Sequence, residues 1–214
     1  MVSLTCRVVR SNRRTPSRDL RRRVGAAPLK ALFEALAVPL AQPSTPGARY
    51  RSWRTVAFDG CGSLKVPDHE RNRNWLGKLK SRLGPAGYPT MMLMALVETG
   101  TRSVLGAVFG PPRTSAITYA ARLLQLLDRN MLLLADRGFD SNHSREAVAA
   151  TGSQFLTRCR SYRRPPVLTV LNDGSYLTQI AGLRLRVIEA EVKGERRTAP
   201  TESPSPTSTG WSLL

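Results

Sequence analysis

The stretch "MLLLADRGFDSN", residues 131–142, decides the fold. Its apolar residues run up to Ala135 and stop at Asp136, Arg137 and Gly138, the pattern of a short buried strand entering a turn. A carboxylate just past a buried strand is costly unless something pairs with it. Asp59 raises the same question upstream, because Thr55 to Phe58 read as a short strand that Asp59-Gly60 closes. In a mixed sheet the first strand of a meander commonly lies beside the strand that follows the first helix, and there the two carboxylates meet. Two such groups repel. A divalent cation, which prefers oxygen ligands, removes the conflict. An Asp followed by Gly at a strand end is also an ordinary turn, and both readings stand at this point.

Working outward, Leu29, Leu32, Phe33 and Leu36 share one helical face behind Pro28, and this helix should stop before Pro39. Residues 63–89 are polar, basic and rich in turn formers. Residues 90–110 read as a hairpin about Thr99-Gly100-Thr101. A helix capped by Ser115 spans 115–128, a short helix ending at Gly152 follows the 131–136 strand, and 154–160 is another strand. Val167–Leu171 and Tyr176–Ile180 flank Asn172-Asp173-Gly174, a hairpin signal, and a third strand follows over 183–189. Three antiparallel strands followed by alternating helix and strand give an α/β fold with a mixed sheet. The expected organisation is a basic tail over 1–24, a helix and linker over 25–48, a core over 49–164, a β-rich segment over 165–192 and a disordered tail over 193–214. That last stretch is dominated by Pro, Ser and Thr.

The chain has 214 residues, with 33 Lys+Arg against 15 Asp+Glu and a net charge of +18. Such a field favours a polyanion, with nucleic acid ahead of an anionic membrane surface. Arg71, Arg73, Lys78 and Lys80 surround Trp75, a basic run with an aromatic that either stacks on a base or packs against the domain. Arg137 follows Asp136 and reads as a phosphate contact or a surface charge. Arg160, Arg163 and Arg164 precede Pro165 in a loop suited to backbone phosphates. Cys6, Cys61 and Cys159 form no CxxC, and neither His69 nor His143 lies near a cysteine, which argues against a zinc site or a disulfide framework. Phe139 should pack under the Asp136 turn. No apolar run approaches the ~20 residues of a membrane span, and the expected location is cytoplasmic, on the nucleoid.

"VAFDGCGSLKVPDHERNRNWLGKL", "GYPTMMLMALVETGTRSVLGAVFG", "LLLADRGFDSN" and "RRPPVLTVLNDGSYLTQIAGLRLRVIEAEV" resemble, in order, motifs of the DDE transposases of the insertion sequence 4 type. The likeness covers roughly residues 19–192. It implies a ribonuclease H-like fold with a β-rich insertion, and cut-and-paste chemistry on double-stranded DNA at transposon ends. It further implies Mg²⁺ or Mn²⁺ as cofactor, two-metal phosphoryl transfer, and a homodimer in an intact transposition complex. Asp59 matches the first metal-binding carboxylate and Asp136 the second.

The chain departs from that family at both ends: the usual N-terminal DNA-binding region does not appear before Asp19, and the third carboxylate finds no match. The third carboxylate is a Glu on a last catalytic helix, within a Tyr, Arg, Glu, Lys signature, and here no Tyr follows Tyr176. Glu189 and Glu191 sit on a strand-like alternation, and Glu195 and Glu202 sit in the Pro/Ser/Thr tail. The expectation is a core truncated at both ends, with the last helix missing and catalysis impaired. The rivals are a non-enzymatic DNA-binding fragment, a different ribonuclease H-like nuclease that recruits Glu146, and an RNA-binding basic protein.

Overall fold

The computed structural model describes residues 16–81, 84–190 and 209–213. They fall into two compact units divided after Ala37. The first holds α1 (Pro16–Val24) and α2 (Ala27–Leu36). Residues 16–24, expected to belong to a tail, are helical, with Arg21, Arg22 and Arg23 in the last turn, where cations suit the helix dipole. Residues 1–15 of that tail lie outside the described residues. α2 carries its proline in the first turn and ends short of Pro39, as its sequence predicts.

The second unit comprises β1 (Arg49–Tyr50), β2 (Trp53–Lys65), α3 (Glu70–Leu76), β3 (Leu79–Ser81), β4 (Gly84–Ala86), β5 (Thr90–Glu98), β6 (Val104–Gly110), α4 (Ala116–Ala121), β7 (Met131–Ala135), α5 (Asn142–Ala149), β8 (Gln154–Arg158), β9 (Thr169–Val170), β10 (Tyr176–Ile180), β11 (Leu183–Ala190) and β12 (Thr209–Leu213). One sheet runs β6-β5-β2-β7-β8-β12-β11-β10-β9, with β1 also paired to β2. β6, β5 and β2 are an antiparallel meander, and β2, β7 and β8 are parallel. This is the mixed α/β sheet that the sequence predicts.

The core forms where alternate strand residues meet the helices. Val56, Met94, Leu96, Leu133 and Phe155 pack against Tyr119, Ala120, Leu123 and Val148. Ser115 caps α4, its hydroxyl accepting the Thr118 amide at 3.2 Å. The regular helix is shorter than its apolar pattern predicts, ending at Ala121 and passing into a tighter 3₁₀ turn over Leu124–Leu126.

Three expectations need correction. β2 does not end at Asp59 but runs on to Lys65, with Asp59 opposite Ala95 of β5. Gly60 is therefore no turn residue. A Cβ there would come within 2.9 Å of Met94 Cε and 3.3 Å of Met92 Cε, so the glycine lets the strand lie close over two methionines. The polar stretch 63–89 contains α3 and the β3–β4 hairpin. The tail expected to be disordered supplies β12, which pairs with both β8 and β11. The reason is that β8 and β11 each present open backbone groups that a strand satisfies, whereas the Pro/Ser/Thr content that suggested disorder is an average over the whole tail. Residues 191–208 and 214 lie outside the described residues.

Glu98, at the end of β5, fastens the preceding linker to the sheet. Its buried carboxylate accepts the Ala41 amide at 2.8 Å and the Leu40 amide at 3.3 Å, together with the Thr101 hydroxyl and the Arg54 guanidinium. Burial pushes its pKa up, but hydrogen bonds from Thr101, Arg54 and the Ala41 amide outweigh that and leave it below the usual glutamate value. A depressed carboxylate contributes stability that is full at neutral pH and is lost as pH falls from the ordinary glutamate range through its lower folded-state pKa. Glu98→Gln should lower stability at pH 7 by about 3 kcal/mol, since it leaves Arg54 without its counter-charge. It should also flatten the acid limb, as urea titrations between pH 7 and pH 3 would show.

Candidate functional site

The parallel register places the two predicted aspartates. Arg54 pairs with Met131 and Ala57 with Leu134. The pairing ends there, and two residues beyond it lie Asp59, within β2, and Asp136, just past the end of β7. Strand alternation then fixes the face. Val56 and Leu133 point into the helix-covered core, so Ala57, Asp59, Leu134 and Asp136 belong to the opposite face. Phe58, on the core side, packs its ring 5.4 Å from that of Phe139, which lies under the Asp136 turn as predicted.

Both aspartates are exposed. Asp136 also performs the bland role, because its Oδ1 accepts the Gly138 amide at 2.8 Å and starts the 3₁₀ turn Arg137–Phe139. A carboxylate has two oxygens, so this cap leaves Oδ2 for another partner. Among the described residues neither aspartate forms an ion pair. Two exposed hard-oxygen donors, one in β2 and one just past the end of the adjacent β7, are of the type that suits a cation such as Mg²⁺ that retains several waters. Among the described residues no group of three His, Cys, Asp or Glu converges. Glu146 is exposed on α5 and completes no such group, so the rival that recruits it finds no support. Glu189 is exposed on β11, and Glu191, Glu195 and Glu202 lie outside the described residues.

The basic candidates divide into two groups. On and after α3, Arg71 is exposed, whereas Arg73 Nε and Lys78 Nζ reach Asp68 at 3.2 and 2.6 Å. The Lys78 hydrogen bond holds the Asp68 carboxyl below its usual range. The Lys80 side chain lies outside the described residues. Trp75 packs edge-on to Phe109 at 6.4 Å and is 46% exposed. His69 precedes α3 without a side-chain cap, and His143 is exposed.

The second group surrounds the end of β7. Arg137 is exposed, and its carbonyl accepts Arg160 Nε at 3.3 Å. Arg160 Nη1 donates to Tyr162 Oη at 2.7 Å, a bond that raises the Arg160 pKa further. Arg164 is exposed. Arg163 turns inward: its Nε stands 3.2 Å from Asp140 Oδ1, and its Nη1 donates to Asn142 Oδ1 at 3.0 Å.

Sequence reading missed Asp140. It is 2% exposed, pairs with the equally buried Arg145, and accepts the Arg160 amide on Oδ2 at 2.7 Å. The signal was available: a second Asp in "DRGFD" followed, five residues on, by an Arg on the inner face of a helix.

A family model described as a transposase DDE domain matches residues 58–207. The presumed transposase InsZ of Escherichia coli (strain K12) is 31% identical over 122 residues, which is 56% of this chain and 40% of that protein. The chain thus spans less than half the length of that relative. Among solved structures, a piggyBac transposase synaptic complex with hairpin DNA aligns with a TM-score of 0.40 at 14% identity, over 79% of this chain and 33% of that one. The endonuclease V of Streptomyces avermitilis aligns with a TM-score of 0.27 at 13% identity, over 88% of this chain and 75% of that one.

Asp136→Asn and Asp136→Ala separate the two roles of this residue. Asparagine keeps an oxygen for the Gly138 amide, so its stability should stay close to wild type, whereas alanine should cost about 1 kcal/mol. Both should abolish Mn²⁺ binding read by paramagnetic line broadening. Retained binding in Asp136→Asn would remove this carboxylate from the ligand set.

Proposed function

The chain belongs to the transposase DDE family, and we propose that it is the core of an insertion-sequence-4-type transposase that binds double-stranded DNA at transposon ends. What supports this reading is the β2–β7 register: Asp59, within β2, and Asp136, just past the end of β7, each lie two residues beyond the paired Ala57 and Leu134. Asp59 and Asp136 are the residues that would hold Mg²⁺ or Mn²⁺. Bound there, the metal supplies Lewis-acid pull on a phosphodiester and lowers the pKa of an attacking hydroxyl.

The chain's own residues do the rest. Asp59 is held in mid-strand, hydrogen-bonded through β5, so its position does not depend on a loop. Asp136 is fixed by its own cap to Gly138. Arg137, Arg160 and Arg164 offer guanidinium groups to backbone phosphates beside that pair, and such contacts set register without reading sequence. Arg71, with Arg73 and Lys78 beside it, extends the basic surface along α3.

The two-metal chemistry of the family calls for a third carboxylate, and none joins Asp59 and Asp136 among the described residues. That observation favours a second reading, in which this chain by itself holds DNA far better than it cuts it. Misplacing a metal misplaces the nucleophile, and catalysis is steeply sensitive to such displacement.

Two measurements test these readings. Binding to duplex DNA should weaken steeply with salt, with a log–log slope of about −4 or steeper if four or more phosphates are neutralised; a flat response would remove nucleic acid as the partner. Mg²⁺- or Mn²⁺-dependent nicking should be weak or absent in this chain and restored in a version extended by the family's last helix. Nicking by the short chain that disappears in Asp136→Ala would mean another acid completes the site. Nicking that survives both Asp59→Ala and Asp136→Ala would refute the metal assignment.

A further inference from the structure

Asp140 is the most enclosed carboxylate near the aspartate pair, and three segments meet on it. It belongs to the turn that follows Asp136. Arg145 reaches it from α5, with Nη2 donating to Oδ1. From the segment after β8, the Arg160 amide donates to Oδ2 at 2.7 Å and Arg163 Nε stands 3.2 Å from Oδ1. The Asp140 side chain is fully buried and that of Arg145 is 1% exposed.

Arg163 acts as a strut. Besides its contact with Asp140 Oδ1, its Nη1 donates to Asn142 Oδ1 at 3.0 Å and its Nη2 to the Asp140 carbonyl at 3.5 Å. Arg160 is different. Its Nε and Nη1 are taken by the Arg137 carbonyl and Tyr162 Oη, and no partner holds its Nη2 among the described residues. Arg160 is therefore oriented by the protein with one donor edge left over, beside the exposed Arg137.

We propose that Asp140 is a positioning residue: with Arg145 and Arg163 it ties residues 159–164 to the turn after Asp136, and so aims Arg160 and Arg137 at a DNA phosphate next to the Asp59–Asp136 pair. This rests on the DNA-binding reading above. A carboxylate set among arginines that bind a polyanion lowers the local positive potential, so field strength alone does not favour its presence. Its value is geometric. A guanidinium held in place loses less freedom when it meets a phosphate than one on a loose loop.

Two charge-neutral variants cut the tie. Asp140→Asn combined with Arg145→Met removes one charge of each sign and leaves no isolated buried ion. Arg163→Lys keeps the surface charge but replaces the planar fork with a point charge that cannot span Asp140 and Asn142. Duplex DNA affinity would be measured against salt for wild type, for both variants, and for each with and without Arg160→Ala, with circular dichroism and protease resistance reporting the fold. Both folded variants should bind roughly tenfold more weakly at 0.1 M salt, with a slope shallower by about one unit. Arg160→Ala should weaken wild type by a similar factor and add little in either variant, a non-additivity that mere loss of stability does not produce.

If the folded variants bind like wild type, if Arg160→Ala costs as much in them as in wild type, or if both variants fail to fold, Asp140 is a structural residue and the positioning role is rejected. If wild type itself shows no salt-dependent binding, the DNA reading fails first, and the positioning role falls with it.

Discussion

The parallel pairing of β2 with β7 is the constraint on which the site depends. A one-residue slip along that pair would send every side chain of β7 to the other face of the sheet. Burial on both faces prevents it. Val56 and Leu133 are enclosed on the helix side, and Leu132 is enclosed on the other. Such strands read as continuous apolar runs, which is how "MLLLA" reads. The apolar core thus does more than stabilise, because it holds the β2–β7 register on which the placing of Asp59 and Asp136 depends.

Two other carboxylates repeat one physical device. Glu98 and Asp140 are each buried, each paired with an arginine, and each accepts backbone amides from a segment that is otherwise irregular. Glu98 gathers in residues 40 and 41, and Asp140 gathers in residue 160. A buried carboxylate is tolerable only when its lone pairs are filled. Filling them with amides from another segment turns that requirement into a fastening. In both segments a single charged residue supplies this fastening beside the buried Ala41 and Cys159.

Much of this was legible in the sequence. The β5–β6 hairpin, α4 with its Ser115 cap, β7, the stop of α5 at Gly152 and the Asn172-Asp173-Gly174 hairpin all follow from local pattern and turn chemistry. Asp59 and Asp136 stood out as candidates because a carboxylate that interrupts or ends an apolar strand is conspicuous. What failed was information that is not local. Asp59-Gly60 looked like a turn because Asp and Gly favour turns, and the packing of Met92 and Met94 over Gly60 cannot be seen in a linear string. β12 was missed because its strand character is conferred by the open edges of β8 and β11. Asp140 escaped because its partners, Arg160 and Arg163, come from a segment twenty residues away.

The pattern of acids in a chain of net charge +18 bears on function more directly than the charge itself. Asp68, Glu98, Asp140 and Asp173 are all neutralised by lysine or arginine, and for Asp68, Glu98 and Asp173 the hydrogen bonds they accept keep the carboxyl below its usual range. These are acids that the fold uses. Glu70, Glu146 and Glu189 form no ion pair among the described residues, but each stands singly on the surface. Among the described residues, Asp59 and Asp136 form no ion pair, and they lie on β2 and just past the end of its parallel neighbour β7. With thirty-three basic residues in the chain, a compensating lysine or arginine between them was an easy solution, and the structure does not use it. The proposed Mg²⁺ or Mn²⁺ is a species whose charge and preference for oxygen ligands suit two such carboxylates.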